Sequence, residues 1–376
     1  MKNLLKIIAV LFLLVQISVS GQKIPDDSLL KKARLEIYDN PDMAISITKN
    51  LLKKTTDIKK SITLYMLLST ANIAKRDFDE SLKYILKAKE LAQKTNDLQT
   101  KTSVLVSVAI QYQQMELFSK SLETLDEADI YLSQLPDNSR EKFIEKGRGF
   151  AIRGMIYKSQ SNPEIALEKL LQAIENFKKV DAQKATLANM SIVYYNIGYC
   201  YLNLNETDKA QEAFSQAADY ARKSEAKSLE AFALKGIAEL YKQKRKHQEA
   251  LDLLTHAENL SKNTGDLILD AGIYKEMADN YLAMGNQNQY QIYNKKYFEM
   301  HFRRVQNELT SINQAIDHHN RETSVKSGEL RKVHTYSIAA IIGIALLCIA
   351  VILSLIFKIR KENKKYQKEI QQLIRS

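Results

Sequence analysis

The chain has 376 residues, a formal charge of +11, and only 11 Gly, 4 Pro and 2 Cys. So few turn residues, set among abundant helix formers, exclude a β-rich domain, and two cysteines exclude a disulfide framework. The charge is uneven: Lys358 to Arg375 holds seven basic and two acidic residues, and Lys2 and Lys6 sit in the leader, so the rest is weakly basic and nucleic-acid binding by this chain is not expected.

The N-terminus carries Lys2 and Lys6, the apolar run Ile7 to Val15, and then Ser18-Val19-Ser20 before Gly21. That order predicts a secretory signal peptide over 1–20, cleaved after Ser20. An uncleaved signal anchor is the alternative, although the apolar run is short for a span. Residues 21–60 should form N-terminal capping helices around Ala44, with Pro41 after Asp39-Asn40 in a helical first turn.

From 61 to 300 a helix-turn-helix unit recurs. It is clearest at Tyr194, Ile197, Gly198 and Tyr201, followed by Ala210, Phe214 and Ala217. The same frame gives Leu234, Ala238, Tyr241, Ala250, Leu254 and Ala257, and then Tyr274, Ala278 and Tyr281. Earlier units run through Tyr65, Ser69, Ser81, Ile85 and Ala88; through Leu105, Ala109, Tyr112, Ser121, Leu125 and Ala128; and through Phe150, Gly154, Tyr157, Ala166, Leu170 and Ala173. A small residue in the first helix lets the second approach, an aromatic wedges between them, and a later Ala admits the next unit. These spacings resemble a tetratricopeptide repeat. The resemblance implies an all-α fold, a TPR-like α-solenoid in which helix pairs stack into a right-handed superhelix. The small anchors at 69, 109, 154, 198, 238 and 278 recur every 40 to 45 residues, longer than the usual 34.

A stalk helix is predicted over 301–335. Phe298, Phe302, Val305, Leu309, Ile312 and Ile316 follow a 4-3-4-3-4 spacing, which is a seam for a homodimeric coiled coil or for packing against the solenoid end. Tyr336 to Phe357 is a chargeless apolar run long enough to span a bilayer. Lys358, Arg360, Lys361, Lys364 and Lys365 follow at once and favour a cytoplasmic tail over 358–376. The expected location is therefore the inner membrane, single pass, with the N-terminal part periplasmic.

No nucleophile, phosphate loop or metal-ligand spacing stands out, so no enzyme activity, cofactor or metal is expected. His318 and His319 are adjacent and point to different helix faces. Cys200 and Cys348 read as small apolar residues. On the concave face, which first helices of tetratricopeptide arrays form, the frame places Arg148, Lys158, Tyr195, Tyr199, Lys235, Lys242 and Lys275. Such a set suits an extended protein or peptide partner of acidic character.

The order of leader, repeats, long helix, membrane span and basic tail resembles a group of membrane regulators of Bacteroidota. Members of that group continue into a DNA-binding or histidine-kinase output domain, whereas only nineteen residues follow Phe357 here. The expected function is a membrane-anchored sensor or scaffold in signal transduction that binds a protein or peptide through its solenoid. A truncated transcriptional regulator lacking its DNA-binding domain, or a structural envelope adaptor, are the alternatives.

Overall fold

A computed structural model describes residues 26–375 except Asn263; the predicted signal peptide lies outside the described residues. Fourteen helices are present and no strand occurs among the described residues. A leading pair, α1 (Asp26–Asp39) and α2 (Pro41–Leu52), precedes six repeats. These are α3 (Ile58–Ala74) with α4 (Phe78–Gln93), α5 (Leu98–Gln114) with α6 (Phe118–Ser133), and α7 (Arg140–Ser159) with α8 (Pro163–Phe177). Then come α9 (Lys184–Asn203) with α10 (Thr207–Ser224), α11 (Lys227–Gln243) with α12 (His247–Ser261), and α13 (Leu267–Ala283) with the first turns of α14 (Gln287–Arg375).

Local signals start and stop these helices. The side chains of Asn40, Asp57, Asp77, Asp97, Ser139 and Asp266 each accept a backbone N–H at a helix start, supplying one of the partners a helix terminus lacks. Pro41 and Pro163 stand in the first turns of α2 and α8, where a missing N–H costs nothing. Every turn inside a repeat is three residues long, and its middle residue takes a left-handed φ: 61° at Arg76, 59° at Glu116, 59° at Ser161, 60° at Asn205, 58° at Arg245 and 76° at Gly285. Each lies seven residues beyond its small anchor. The next N–H then reaches back to the carbonyl of Asn72, Tyr112, Tyr157, Tyr201, Tyr241 or Tyr281, at 2.8 to 3.0 Å. This is the Schellman closure, which satisfies a carbonyl the helix end would leave free.

The long period has a plain cause: first helices run 17 to 20 residues. Packing follows the small anchors. A Cβ at Gly154 would fall 2.6 Å from Leu170 Cγ, and one at Gly198 would fall 2.5 Å from Phe214 Cε1. The close approach of the paired helices therefore needs glycine there. In the first repeat a serine serves instead, and buried Ser69 bonds Ser81 (3.1 Å) and Gln111 (2.8 Å), tying the first repeat to the second.

First helices of successive repeats touch one another, whereas no two of α4, α6, α8, α10 and α12 meet. The first helices therefore line the tighter, inner face. The curl brings α1 against α11. The chain divides into two compact units, Met1–Ala315 with the solenoid and Ile316–Ser376. Within the second, one stretch, His334–Lys365, is long and apolar enough to cross a membrane, and its side chains are exposed all round.

Candidate functional site

The seven residues expected on the concave face all lie on first helices, and six of them join neighbouring helices. Arg148 on α7 donates to Ser107 Oγ on α5 at 3.0 Å and pairs with Glu145 at 2.7 Å. Lys158, also on α7, donates to Asn196 Oδ1 on α9 at 2.6 Å and sits 5.5 Å from the Tyr199 ring centre. Lys235 on α11 donates to the Tyr199 hydroxyl at 2.7 Å, and that hydroxyl donates to Glu239 Oε2 at 2.7 Å. Lys242 reaches across to α13, 2.7 Å from Glu276 and 3.1 Å from Asp279. Lys275 stands 3.9 Å from Asp279 on its own helix and is half exposed. Tyr195 packs edge-on against Tyr199 and Phe232. The result is a ladder of rungs along α7, α9, α11 and α13.

Burial sets the electrostatics of these rungs. It pushes the Tyr199 hydroxyl well above the ordinary tyrosine range, so the group stays protonated and can serve both neighbours. For Lys235 and Lys242 burial works against the charge, but Tyr195 with Glu239 in one case, and Glu276 with Asp279 in the other, leave both above the ordinary value. Glu276 is raised, because burial outweighs the help of Lys242. The Lys242–Glu276 contact is close but poorly aligned, and Glu276 Oε2 receives no well-directed hydrogen bond. Lys158 differs from the other groove lysines. Burial lowers it, Lys235 lowers it further, and no carboxylate pairs with it among the described residues.

The sequence pattern singled out the cations and tyrosines but not Asn196, Glu239, Glu276 or Asp279. The frame held the signal. Glu239 and Asp279 follow the anchors Ala238 and Ala278 as Tyr199 follows Gly198, while Asn196 and Glu276 both stand two before an anchor.

Two other features have structural explanations. A cleft of about 590 Å³ between α6, α7 and α8 is lined by Lys142, Lys146, Phe150 and Arg153. Within it Lys142 is satisfied by Leu135 O and Asp137, and Arg153 by Asp126 and Asp129. Cys200 is fully buried and its thiol is pushed up to about 11 by burial, which makes it a poor nucleophile. Of the expected seam on α14, Phe298, Phe302 and Leu309 are 59, 62 and 58% exposed, while Val305, Ile312 and Ile316 are half-buried.

Comparison with known proteins agrees with the fold. Residues 62–95 and 189–263 each match the tetratricopeptide repeat family. Among curated proteins none matches the chain by sequence. Among solved structures, NprR in complex with its cognate peptide NprX is 12% identical, with a TM-score of 0.53 over 86% of this chain and 94% of that one. A Rap protein complexed with competence and sporulation factor is 14% identical, with a TM-score of 0.51 over 81% of this chain and 99% of that one. At such identities the likeness concerns the fold, and the fold it shows is a tetratricopeptide-like α-solenoid.

Proposed function

We propose that this protein is a membrane-anchored solenoid whose inner face binds an extended peptide or protein segment bearing an acidic group, as the receiving part of a sensor or scaffold. The observation that carries this reading is the ladder, above all Lys158. It is a cation on the inner face with an aromatic ring beside it and without a carboxylate partner among the described residues, so an incoming carboxylate gains a charge-assisted hydrogen bond without first displacing one. That the two similar solved structures are complexes, one with a cognate peptide and one with competence and sporulation factor, supports the same reading. The leader sequence, the apolar run 336–357 and the basic residues from Lys358 support an N-terminal solenoid outside the cytoplasm and a single inner-membrane pass. The exposed Phe298, Phe302 and Leu309 support self-association of the long helix.

A purely structural adaptor is the second reading, favoured by the internal pairing of Lys235 and Lys242. The experiment that separates the two is binding of an extended-peptide library to the full-length protein and to Lys158→Met. Loss of a charge-assisted bond of about 1.5–3 kcal/mol should weaken an acidic binder roughly tenfold or more. If no peptide binds, or if Lys158→Met leaves the best acidic binder unchanged, the groove reading fails and the adaptor stands.

A further inference from the structure

Solenoid repeats need to touch only their neighbours, yet this chain joins its first repeat to its last. The second helices α4, α6, α8, α10 and α12 have 15 to 18 residues, and α14 continues past that length. Its residues Arg304, Glu308, Ser311 and Ala315, spaced 4-3-4, form one stripe. Ser311 Oγ accepts the backbone N–H of Asp79 at 3.0 Å, across 232 positions of sequence. That N–H is among those a helix start leaves without an internal partner. Glu308 Oε1 lies 3.7 Å from Arg76 Nε, and its Oε2 lies 3.6 Å from Arg304 Nε. Ser311 and Ala315 are buried, at 8 and 1% exposure. The stripe sits about a third of a turn from the seam of Phe298, Phe302 and Leu309, so the two faces of α14 do not compete.

The ionic part of this contact is loose. Two largely covered guanidinium groups share one carboxylate beyond hydrogen-bond distance, and Arg304 Nε has no hydrogen-bond partner. Imperfectly matched buried charge is a weak source of stability, and elements that open are drawn from the weakly held parts of a fold. A link to the groove is also present. The helix that bears the stripe, α14, packs Tyr293 against Tyr281 and Tyr274 of α13, with ring centres 5.5 and 6.1 Å apart. The same α13 carries Glu276 and Asp279, which Lys242 holds in the ladder.

We propose that the Arg304, Glu308, Ser311 and Ala315 stripe on the first repeat is a clasp that closes the ring of repeats, coupled through α13 to the groove ladder and opened when the ladder shifts. This rests on the groove reading and concerns the regulation of that site.

The test is amide hydrogen exchange on the full-length protein in detergent micelles, with no ligand added. Ser311→Lys places a third cation among Arg76 and Arg304 and should speed exchange at 304–315 and at the start of α4 roughly tenfold, with the amides of α5 to α10 unchanged. Lys242→Met, which removes the ionic tie between α11 and α13, should speed the same 304–315 amides several-fold. Arg303→Gln, at an exposed position of α14 in neither the stripe nor the seam, and Lys94→Met, which removes a surface pair with Glu90, should do neither. Unchanged exchange in Ser311→Lys removes the clasp. A response to Ser311→Lys with none to Lys242→Met makes the contact a fixed staple and overturns its regulatory role. Neither result depends on the Lys158→Met peptide measurement, so the groove reading and the clasp fail separately.

Discussion

Phe214 offers the most demanding test of how these repeats stack. Its ring is fully buried and held between two glycines on different first helices. A Cβ at Gly198 would lie 2.5, 2.6 and 2.8 Å from Cε1, Cδ1 and Cζ of the ring, and a Cβ at Gly236 would lie 2.6 Å from both Cδ1 and Cε1. The ring cannot retreat from one without striking the other. Gly198→Ala therefore sets two effects of opposite sign against each other. Alanine in a helix interior gains up to about 1 kcal/mol over glycine, whereas overpacking a tight core costs about 1–3 kcal/mol. Because both sides are closed, overpacking should win, leaving a net loss of roughly 1–2 kcal/mol. In a Phe214→Leu background the added methyl has room, so the loss should shrink by at least about 1 kcal/mol, a coupling typical of touching residues. Urea unfolding in mild detergent, followed by far-UV circular dichroism, measures all four proteins of the cycle. A neutral or stabilising Gly198→Ala would refute the pinch.

Three further outcomes follow from the same geometry. Glu116 holds a left-handed φ of 59° without being glycine, so Glu116→Gly should stabilise the second repeat by about 1 kcal/mol in urea unfolding. Glu276 is raised from its ordinary 4.5, chiefly by burial; the folded state then holds its proton more tightly than the unfolded state, and this contribution is present below that value and lost as pH rises through the folded one. Stability measured across that window should decline less in Glu276→Gln than in the wild type. On the proposed self-association, Phe302→Asp with Leu309→Asp abolishes crosslinked dimers of the full-length protein, while unchanged crosslinking would assign the exposed aromatics to some other contact.

Much of the solenoid was legible because small side chains recur every 40 to 45 residues: Gly154 and Gly198 mark close approaches of the paired helices, and Ala238 and Ala278 are buried at the same frame position. The left-handed turns were not legible by residue type, since Arg76, Glu116, Ser161, Asn205 and Arg245 occupy a position that glycine fills only at 285. There the three-residue turn dictates the backbone, and the side chain merely tolerates it. In the groove, lysine and tyrosine stand out at frame positions, whereas helical spacing alone makes Glu239, Glu276 and Asp279 look like acids of a solvated face. Glu276, buried at 7% exposure, shows why that reading falls short: its partner Lys242 comes from the preceding repeat, 34 positions away, and no helix-spacing rule connects them. The clasp is further out of reach. Whether the first repeat meets the last depends on the accumulated rotation of five interfaces, and a small change at each would separate Asp79 from Ser311 without altering any local pattern.

The pairing in the ladder also bears on what the groove can select. An acidic ligand that approached Lys242 would have to displace Glu276 and Asp279, and removing one partner of a buried pair typically costs about 3–5 kcal/mol. A ligand hydroxyl or amide at Lys235 would compete with the Tyr199 hydroxyl, which already bridges Lys235 and Glu239. Lys158 carries no such penalty, because its partners are an amide oxygen and a ring. On the proposed reading the groove therefore favours one well-placed anion over a run of them, located where the third repeat meets the fourth. Polyacidic peptides should bind no better than peptides with a single acid in register. Charge reversal at Lys242 should act mainly by loosening α13, whereas Lys158→Met should act on affinity alone.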